Sequence, residues 1–308
     1  MSSLEETKYI LKKYNIRANK KLGQNFLIDD NAIDKIVSSA EIGKDDLVIE
    51  IGPGLGTLTS KLLEKAGKVI AIELDEKMIK ILTDRFKLYN NFTLINEDIL
   101  KVDLKKLITN NIAETGRAKI VANLPYYITT PIIMKLLEDK LNIESITVMV
   151  QKEVADRITE APGGKLSGAI TYSVNYYAET EEIAFVGKES FIPSPEVDSK
   201  VIKLKIRNMP PVNVKNEEMF FKVIKASFMQ RRKTLINGLV NSGIIKDKER
   251  LEHIFKQMDL EKEIRGEKLT LEQFAELSNL IVENIWKYKN LWYNIYVNVL
   301  NKNRKGGF

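Results

Sequence analysis

The sequence predicts an α/β fold in which a doubly wound parallel sheet is followed by a smaller, all-helical C-terminal domain. From residue 29 to about residue 151, short β-branched runs alternate with amphipathic stretches of helical length, which is typical of such a sheet. After Arg207, apolar residues recur at three- and four-residue spacing, which indicates helices. The 308 residues are sufficient for two domains of ordinary size.

Five short apolar runs are the predicted parallel strands. Each contains β-branched residues, and a segment long enough for a crossover helix, such as 76–88 or 130–139, separates it from its neighbour. Two further strands are expected at 169–177 and 199–206, the second with the partly exposed alternation of an antiparallel edge pair. The five parallel runs are 47–51, 69–73, 92–95, 119–123 and 146–150.

The C-terminal part of the chain is predicted to be helical over 218–241, 247–257 and 270–287, after a linker at Pro210 and Pro211. Both tryptophans lie in the last 24 residues, which predict a final packed helix, an RNA-contacting appendage or a frayed end. The predicted organisation is a basic arm 1–28, a catalytic sheet domain 29–207, a helical RNA-binding domain 208–284 and a basic aromatic tail 285–308.

The composition excludes several classes of protein. The absence of cysteine excludes disulfide scaffolds, thiol catalysis and cysteine-ligated metal sites, and the single histidine, His253, argues against a His-rich site. There is no run of about 18 apolar residues, and Glu5 and Glu6 lie where a signal sequence would be apolar. We therefore expect a cytoplasmic protein with no metal and no membrane partner.

The net charge of +6 is unevenly distributed along the chain. Residues 1–28 carry a net charge of +4 and residues 284–308 a net charge of +5, so the body between them is slightly acidic. A third basic cluster within this body is Arg231, Arg232 and Lys233. Such clusters are typical of proteins that bind a polyanion, although solvated surface charge accounts for them equally well.

A glycine-rich turn follows the first predicted strand. Residues 50–57 read Glu-Ile-Gly-Pro-Gly-Leu-Gly-Thr, in which Gly52 and Gly54 allow a tight turn and close approach of a ligand to the backbone. The dinucleotide fingerprint requires a third glycine where this chain has Thr57. The spacing therefore favours a nucleoside cofactor without a pyrophosphate, with a purely structural turn as the alternative.

Two acidic residues follow the next two strands. Glu73 ends the second strand, where a carboxylate accepts hydrogen bonds from both hydroxyls of a ribose, and Asp98 follows the third strand, where it would accept from an adenine amine. Ligands of open α/β sheets bind outside the carboxyl ends of the strands. Gly52, Glu73 and Asp98 are therefore expected to lie at one cofactor site.

The segment Asn123-Leu124-Pro125-Tyr126 follows the fourth strand. The exocyclic N6 of adenine is a poor nucleophile because its lone pair is delocalised into the ring. The Asn123 side-chain carbonyl and the Leu124 backbone carbonyl, held outward by Pro125, would accept hydrogen bonds from N6 and stabilise the charge that develops during attack on a methyl group. Tyr126 offers a ring face for a base held outside its duplex. The pattern predicts methylation of a base amino group.

A basic segment, residues 21–27, precedes the sheet and a predicted helix over 30–40. It is either a simple loop or a segment that folds over the cofactor.

Taken together, these segments closely resemble the ribosomal RNA adenine N6,N6-dimethyltransferase family, a class I S-adenosylmethionine-dependent methyltransferase family with a Rossmann-like sheet. The resemblance extends from about Asn19 to Leu280, and six matched segments in order are more specific than any one of them. The matched segments are 23–27, 50–57, 123–126, 151–157, 191–199 and 228–235.

The resemblance implies S-adenosylmethionine as the methyl donor, and as substrate two adjacent adenines near the 3′ end of small-subunit (16S) rRNA in an immature 30S subunit. It implies a role in small-subunit biogenesis, and we expect a monomer. The implied cofactor residues are Asn25, Leu27, Gly52, Gly54, Glu73, Asp98 and Asn123. The implied catalytic residues are Asn123, Leu124, Pro125 and Tyr126, with Phe191 as a second stacking face, and the implied RNA-binding residues are Arg231, Arg232 and Lys233.

Tyr127 departs from the family pattern, which more often has a small polar residue there, so that either Tyr126 or Tyr127 is the stacking residue; we favour Tyr126. The nearest alternative function is the erythromycin-resistance type of large-subunit rRNA adenine methyltransferase. A non-catalytic, RNA-binding ribosome-assembly factor is a second alternative. A nicotinamide oxidoreductase is a third, and Thr57 argues against it.

Overall fold

The computed structural model describes residues 1–19, 22–113, 116–230 and 233–284. The chain forms two compact units. The first consists of Met1–Glu160 and Tyr177–Met209, and the second consists of Ala161–Tyr176 and the described residues from Pro210 onward. The predicted boundary at residue 207 lies close to the second junction, but 161–176 belong to the helical unit and not to the sheet domain in which they were expected. The predicted tail 285–308, Arg231 and Arg232 lie outside the described residues.

The first unit contains a seven-stranded sheet of order β4-β3-β2-β5-β6-β9-β7. The five strands from β4 to β6 are parallel. Strand β9 pairs with β6 in the antiparallel direction, and the outermost strand β7 pairs antiparallel with β9. All five predicted parallel strands and the predicted strand at 199–206 are confirmed. The strands are β2 (Leu47–Ile51), β3 (Lys68–Glu73), β4 (Phe92–Asn96), β5 (Ala118–Asn123), β6 (Ser145–Gln151), β7 (Ala178–Val186) and β9 (Ser199–Ile206). A two-stranded sheet pairs β1 (Phe26–Leu27) with β8 (Phe191–Ile192).

The core of the first unit lies between this sheet and the helices that cover it. The central strand β2 is buried along its whole length, and Ile49 pairs with Ile70 of β3 and Ile120 of β5, which accounts for its continuous apolar run. The helices of this unit are α1 (Ser3–Lys13), α2 (Asp30–Ser39), α3 (Thr57–Lys65), α4 (Glu76–Phe86), α5 (Leu104–Asn111), α6 (Thr129–Glu138) and α7 (Lys152–Thr159). No helix among the described residues is long and apolar enough to span a membrane.

Several of these helices begin where the sequence supplies a capping side chain. Asp29, Asp75 and Asp103 precede α2, α4 and α5, and each carboxylate accepts a hydrogen bond from a backbone N–H of the first turn. Because each cap follows a strand or loop directly, helix starts are fixed relative to the sheet edge. The capped start of α4 therefore has a defined position beside the end of β3.

The strand predicted at 169–177 is wrong, because these residues form α8 (Ala169–Tyr177). Its β-branched and aromatic content favours a strand. Tyr172 and Tyr176 are spaced by one helical turn, however, and both pack against aromatic rings of the second unit. The next strand, β7, begins at Ala178 and was not predicted. Its exposed glutamates, Glu179, Glu181 and Glu182, are residues that are depleted in strands, so its composition is not typical of one.

The second unit is helical, as predicted, and is built around aromatic side chains. The Tyr172 ring lies 4.7 Å from that of Phe274 and 5.5 Å from that of Phe228, measured between centroids. The Tyr172 hydroxyl donates to the carbonyl of Leu269 at 2.7 Å and accepts from the Gly163 N–H at 3.1 Å. The helices after α8 are α9 (Glu217–Met229), α10 (Leu235–Asn241), α11 (Lys248–Gln257) and α12 (271–284).

Replacing Tyr172 with phenylalanine should destabilise the second unit. The ring contacts survive, but the Leu269 carbonyl and the Gly163 N–H lose their shared partner in a buried place, which costs about 1–3 kcal/mol of unfolding free energy. Urea unfolding monitored by circular dichroism measures the difference. Tyr89→Phe, at a half-exposed tyrosine, is the control. Equal stability of both variants would contradict the structural role of the Tyr172 hydroxyl.

Candidate functional site

A cleft at the carboxyl ends of β2, β3, β4 and β5 encloses about 1090 Å³, part of which is open to solvent. Ligands of α/β sheets bind at this edge, and the volume suits a nucleoside-sized ligand and a second group. All seven implied cofactor residues line it, as do Leu124, Pro125 and Tyr126. Its acidic lining residues are Glu50, Glu73, Glu97 and Asp98, and none of the described lining residues is basic. Among the described residues, no cluster of His, Asp or Glu is arranged to hold a metal ion.

The glycine turn forms one wall of the cleft. Gly52, Gly54 and Gly56 have φ angles of 67°, 58° and 84°, a region that side-chain-bearing residues rarely adopt. A Cβ on Gly56 would lie 2.6 Å from the ring of Phe86, so this glycine serves packing against α4. A Cβ on Gly52 would meet only Pro125, at 3.9 Å. Gly52 therefore leaves backbone accessible to a ligand, whereas Gly56 holds the turn against its helix.

Glu73 is positioned by backbone donors. Its Oε1 accepts from the N–H groups of Leu74 and Asp75, both at 2.9 Å, and its Oε2 accepts from the N–H of Gly54 at 3.2 Å. Burial raises the pKa of this carboxyl, and the backbone hydrogen bonds oppose that rise. Oε1 uses both of its lone pairs, whereas Oε2 retains one, so Glu73 is able to accept from a ligand hydroxyl while it ties the glycine turn to β3.

Asp98 lies beyond the end of β4, partly buried, at the edge of the same cleft. Its Oδ1 accepts from the Leu100 N–H at 3.0 Å, which fixes the orientation of the carboxyl group. An acceptor held here suits a ligand amine.

The Asn123 side chain is oriented by the segment that precedes α2. Its Nδ2 donates to the backbone carbonyl of Asn25 at 3.3 Å, which leaves Oδ1 as the acceptor end of the amide. The Leu124 N–H donates to the Met149 carbonyl at 3.1 Å. The donors of the following turn, Ile128 N–H and Thr129 Oγ1, bond to the Pro125 carbonyl and not to that of Leu124. Two acceptors, Asn123 Oδ1 and the Leu124 carbonyl, thus belong to adjacent residues of the cleft lining.

Tyr126 and Tyr127 differ in their surroundings. The Tyr126 hydroxyl lies 2.6 Å from Ser199 Oγ, and burial raises the pKa of this phenol. Tyr127 is 54% exposed, and its ring lies beside Gly23, where an added Cβ would be 3.3 Å from Cδ1. Tyr126 is therefore the ring whose position the fold fixes at the cleft wall.

The segment 22–27 lines the cleft. Gln24 connects two parts of the chain, because its Oε1 accepts from the Asn19 N–H and its Nε2 donates to Asp75, both at 2.8 Å. The segment therefore bridges the Asn123 side of the cleft, through Asn25, and the Glu73 side, through Asp75. Gln24 and Asp75 were not among the predicted site residues. Two features of the sequence could have identified them: the motif around Gln24, and the position of Asp75 directly before a predicted helix.

The structure does not bring every predicted site residue to the cleft. Phe191 pairs with Leu27 between β8 and β1, and its side chain is only 3% exposed, in the core of the first unit. Lys233 is exposed in the second unit, where its N–H donates to the Gln230 carbonyl. Its two basic neighbours lie outside the described residues, so the stacking role of Phe191 and the RNA contacts of this cluster stay predictions.

Glu50 is a cleft residue to which the sequence analysis gave no role. It is 1% exposed, and its Oε2 has no hydrogen-bond partner among the described residues. Burial raises its pKa to about 8, and the carboxylate of Glu73 adds to the rise. Its position near the glycine turn, two residues before Gly52, is the feature of the sequence that could have identified it. At neutral pH this carboxyl group is mostly protonated in the ligand-free protein.

Glu50→Gln should change how stability depends on pH. Because the folded-state pKa is above that of the unfolded chain, Glu50 contributes most stability below about pH 4.5, and this is lost as pH rises toward about 8. Glutamine does not titrate, so the unfolding free energy of the variant should not fall in this way. Relative to the wild type, it should rise by a few kcal/mol, as an order of magnitude, between pH 5 and pH 8. Urea unfolding of ligand-free protein at both pH values tests this, with the exposed Glu97→Gln as control. A pH dependence unchanged by Glu50→Gln would refute the assignment.

Comparisons with known proteins identify the family of the chain. The family model "Ribosomal RNA adenine dimethylase" matches residues 15–283. The chain is 49% identical over 281 residues to the ribosomal RNA small subunit methyltransferase A of Clostridioides difficile, with 91% of this chain and 96% of that protein covered. It is 51% identical to the protein of that name from Clostridium acetobutylicum, over 89% of this chain and 98% of the relative.

Two solved structures are similar over most of the chain. A dimethyladenosine transferase from Plasmodium falciparum has a TM-score of 0.66 at 26% identity, covering 82% of this chain and 95% of that one. The 23S rRNA methyltransferase ErmE has a TM-score of 0.62 at 25% identity, covering 83% and 99%. Because the family model spans nearly all of both compact units, and relatives share about half of their residues with the chain, this protein belongs to the ribosomal RNA adenine dimethylase family.

Proposed function

We propose that the protein transfers methyl groups from S-adenosylmethionine to N6 of two adjacent adenines near the 3′ end of small-subunit (16S) rRNA, twice on each base. The observation that carries this proposal is the fixed orientation of the Asn123 side chain. Its Nδ2 donates a hydrogen bond to the Asn25 carbonyl, so its Oδ1 remains as the acceptor. An acceptor beside the Leu124 carbonyl is what an exocyclic amine requires. The small-subunit relatives, which are about half identical to the chain, support the choice of substrate.

The residues of the cleft suit S-adenosylmethionine. Glu73 accepts from backbone donors on both oxygens and keeps a lone pair on Oε2 for a ribose hydroxyl, while Asp98 supplies an acceptor for the adenine amine. Gly52 and Gly54 would let the methionine end approach the turn without obstruction by a side chain. A lining with several carboxyl groups and no basic described residue suits a ligand that carries a sulfonium and an ammonium group.

The chemistry requires positioning and charge stabilisation. Bound S-adenosylmethionine supplies an electrophilic methyl group with a good leaving group. In the first transfer to a base, Asn123 Oδ1 and the Leu124 carbonyl accept hydrogen bonds from the two N6 protons and draw the nitrogen lone pair out of conjugation with the ring. In the second transfer, N6 carries one methyl group and one proton, and one of the two carbonyls accepts from that proton. These hydrogen bonds strengthen as positive charge develops on N6, so they stabilise the transition state more than the ground state. The N6 proton then leaves to water.

Tyr126 would hold the target base by stacking. Its hydroxyl contact with Ser199 fixes the ring before the base arrives, which reduces the entropy lost on binding. Phe191 would supply the second face, which requires its ring to turn out of the core in which it is packed.

The second unit and the basic segments would contact the rRNA of the immature 30S subunit. Arg231, Arg232 and Lys233 are the proposed phosphate contacts, and binding that depends on such contacts weakens as salt rises. We propose that the protein acts as a monomer in the cytoplasm during small-subunit biogenesis.

The similarity to the 23S rRNA methyltransferase ErmE makes the large ribosomal subunit the competing substrate to test. Labelled S-adenosylmethionine should methylate purified, unmethylated small subunits and not large subunits, and mass spectrometry of the digested RNA should identify N6,N6-dimethyladenine. Label in large subunits alone would replace this proposal with the resistance-type activity. Binding of subunits without any label would instead favour a non-catalytic assembly factor.

Asn123→Ala should lower kcat for methylation of small subunits by about 100- to 1000-fold, because one acceptor of the developing charge is lost. The fold should survive, since the side chain makes a single described hydrogen bond, to Asn25. Single-turnover methylation of small subunits measures the effect. The control Asn111→Ala removes an amide on α5, outside the cleft, that bonds to Lys68 and to the Leu107 carbonyl. A turnover of Asn123→Ala equal to that of the control would exclude the proposed mechanism.

A further inference from the structure

The glycine turn, residues 52–56, is also held by a side chain that does not line the cleft. Arg85 of α4 donates from Nη1 to the backbone carbonyl of Leu55, in the middle of the turn. That carbonyl precedes α3 and lies outside its ladder of hydrogen bonds, which begins at Gly56. The Leu55 residue is 1% exposed, so its carbonyl needs a protein donor in place of water. Arg85 therefore restrains the segment that lies beside the cofactor cleft.

Arg85 is in turn oriented by the N-terminal helix. Its Nη2 donates to the carboxylate of Glu6 on α1, and the Arg85 side chain is only 13% exposed. A guanidinium group is a rigid planar fork, so a carboxylate that binds one nitrogen sets the direction of the other. Glu6 thereby acts on Leu55 through Arg85, although 79 residues separate Glu6 from Arg85 in the sequence.

Helix α1 has other polar contacts that do not reach the turn. The Tyr14 hydroxyl, just beyond the C-terminus of α1, donates to Asp84, and Ser3 at its start donates to Asp30. These contacts fix the helix against α4 and α2. They offer a way to separate the docking of α1 from its action on the turn. The helix also lies before residue 15, where the match to the family model begins.

We infer that Glu6 and Arg85 form a positioning pair through which the N-terminal helix holds the glycine turn in its ligand-binding conformation. Three glycines with positive φ give this turn many alternative conformations when it is unrestrained. A turn ordered on folding does not have to be ordered on binding, so the pair should tighten binding of the methyl donor. It should not change the rate of a saturated enzyme, because neither residue lines the cleft. This inference rests on the proposed use of S-adenosylmethionine.

Calorimetric titration with S-adenosylmethionine tests the pair in the full-length protein. Glu6→Ala, which removes the acceptor, and Arg85→Lys should each raise the Kd by about 3- to 10-fold, the range expected when one restrained group is released. In the methylation assay, KM for the donor should rise in parallel while kcat stays within about twofold of wild type. The double variant should bind about as weakly as either single variant, because both substitutions break the same connection.

Tyr14→Phe is the matched control, since it removes a hydrogen bond between α1 and α4 and leaves the Leu55 contact in place. Its Kd should match that of the wild type. An equal loss of affinity in Tyr14→Phe, or wild-type affinity in Glu6→Ala, would overturn the inference. The half-buried Glu6 keeps the test available if Arg85→Lys fails to fold. Wild-type protein that does not bind S-adenosylmethionine would instead overturn the proposed function itself.

Discussion

The burial of the Glu73 carboxylate is the constraint on which the cleft depends. A carboxylate that is 8% exposed requires hydrogen bonds, and backbone N–H groups on both sides of the site supply them. Leu74 and Asp75 donate from the end of β3, and Gly54 donates from the glycine turn. The turn and the strand end are therefore held together by the group proposed to bind the ribose, and a change in any of these residues acts on both.

From this point, a series of hydrogen bonds continues around the cleft. Asp75 caps α4 and accepts from Gln24, and the neighbouring Asn25 carbonyl accepts from Asn123. Asn123 ends β5 and begins the segment 123–126, which is proposed to hold the target base. The cofactor side and the base side are thus parts of one connected frame. Catalysis by positioning needs such rigidity, because small displacements of the reacting groups are costly.

Much of this arrangement could be predicted from the sequence, because the patterns that specify it lie within short segments of the chain. The parallel strands are short β-branched runs, and the glycine turn, Glu73, Asp98 and Asn123 each follow a strand directly, so topology alone places them at one edge. The misassigned strand at 169–177 had strand-like composition, and only the aromatic partners of the second unit make it a helix. The contacts of Arg85 with Leu55 and Glu6 join distant parts of the chain and have no local pattern. The burial of Phe191 likewise depends on its pairing with Leu27, far away in sequence.

The outermost strand, β7, has a consequence for the behaviour of the protein in concentrated solution. Its exposed positions carry Glu179, Glu181, Glu182 and Phe185, and its register with β9 shifts between Glu182 and Ala184. An open strand edge invites pairing with the edge of another molecule, which leads to aggregation. Charged side chains discourage such pairing, and here Glu182 and Glu179 form ion pairs with Lys200 and Arg207 at this margin. The irregular register would also misalign the backbone groups of two such edges. The margin of the sheet therefore protects solubility during the interval in which a newly made chain has not yet met its RNA.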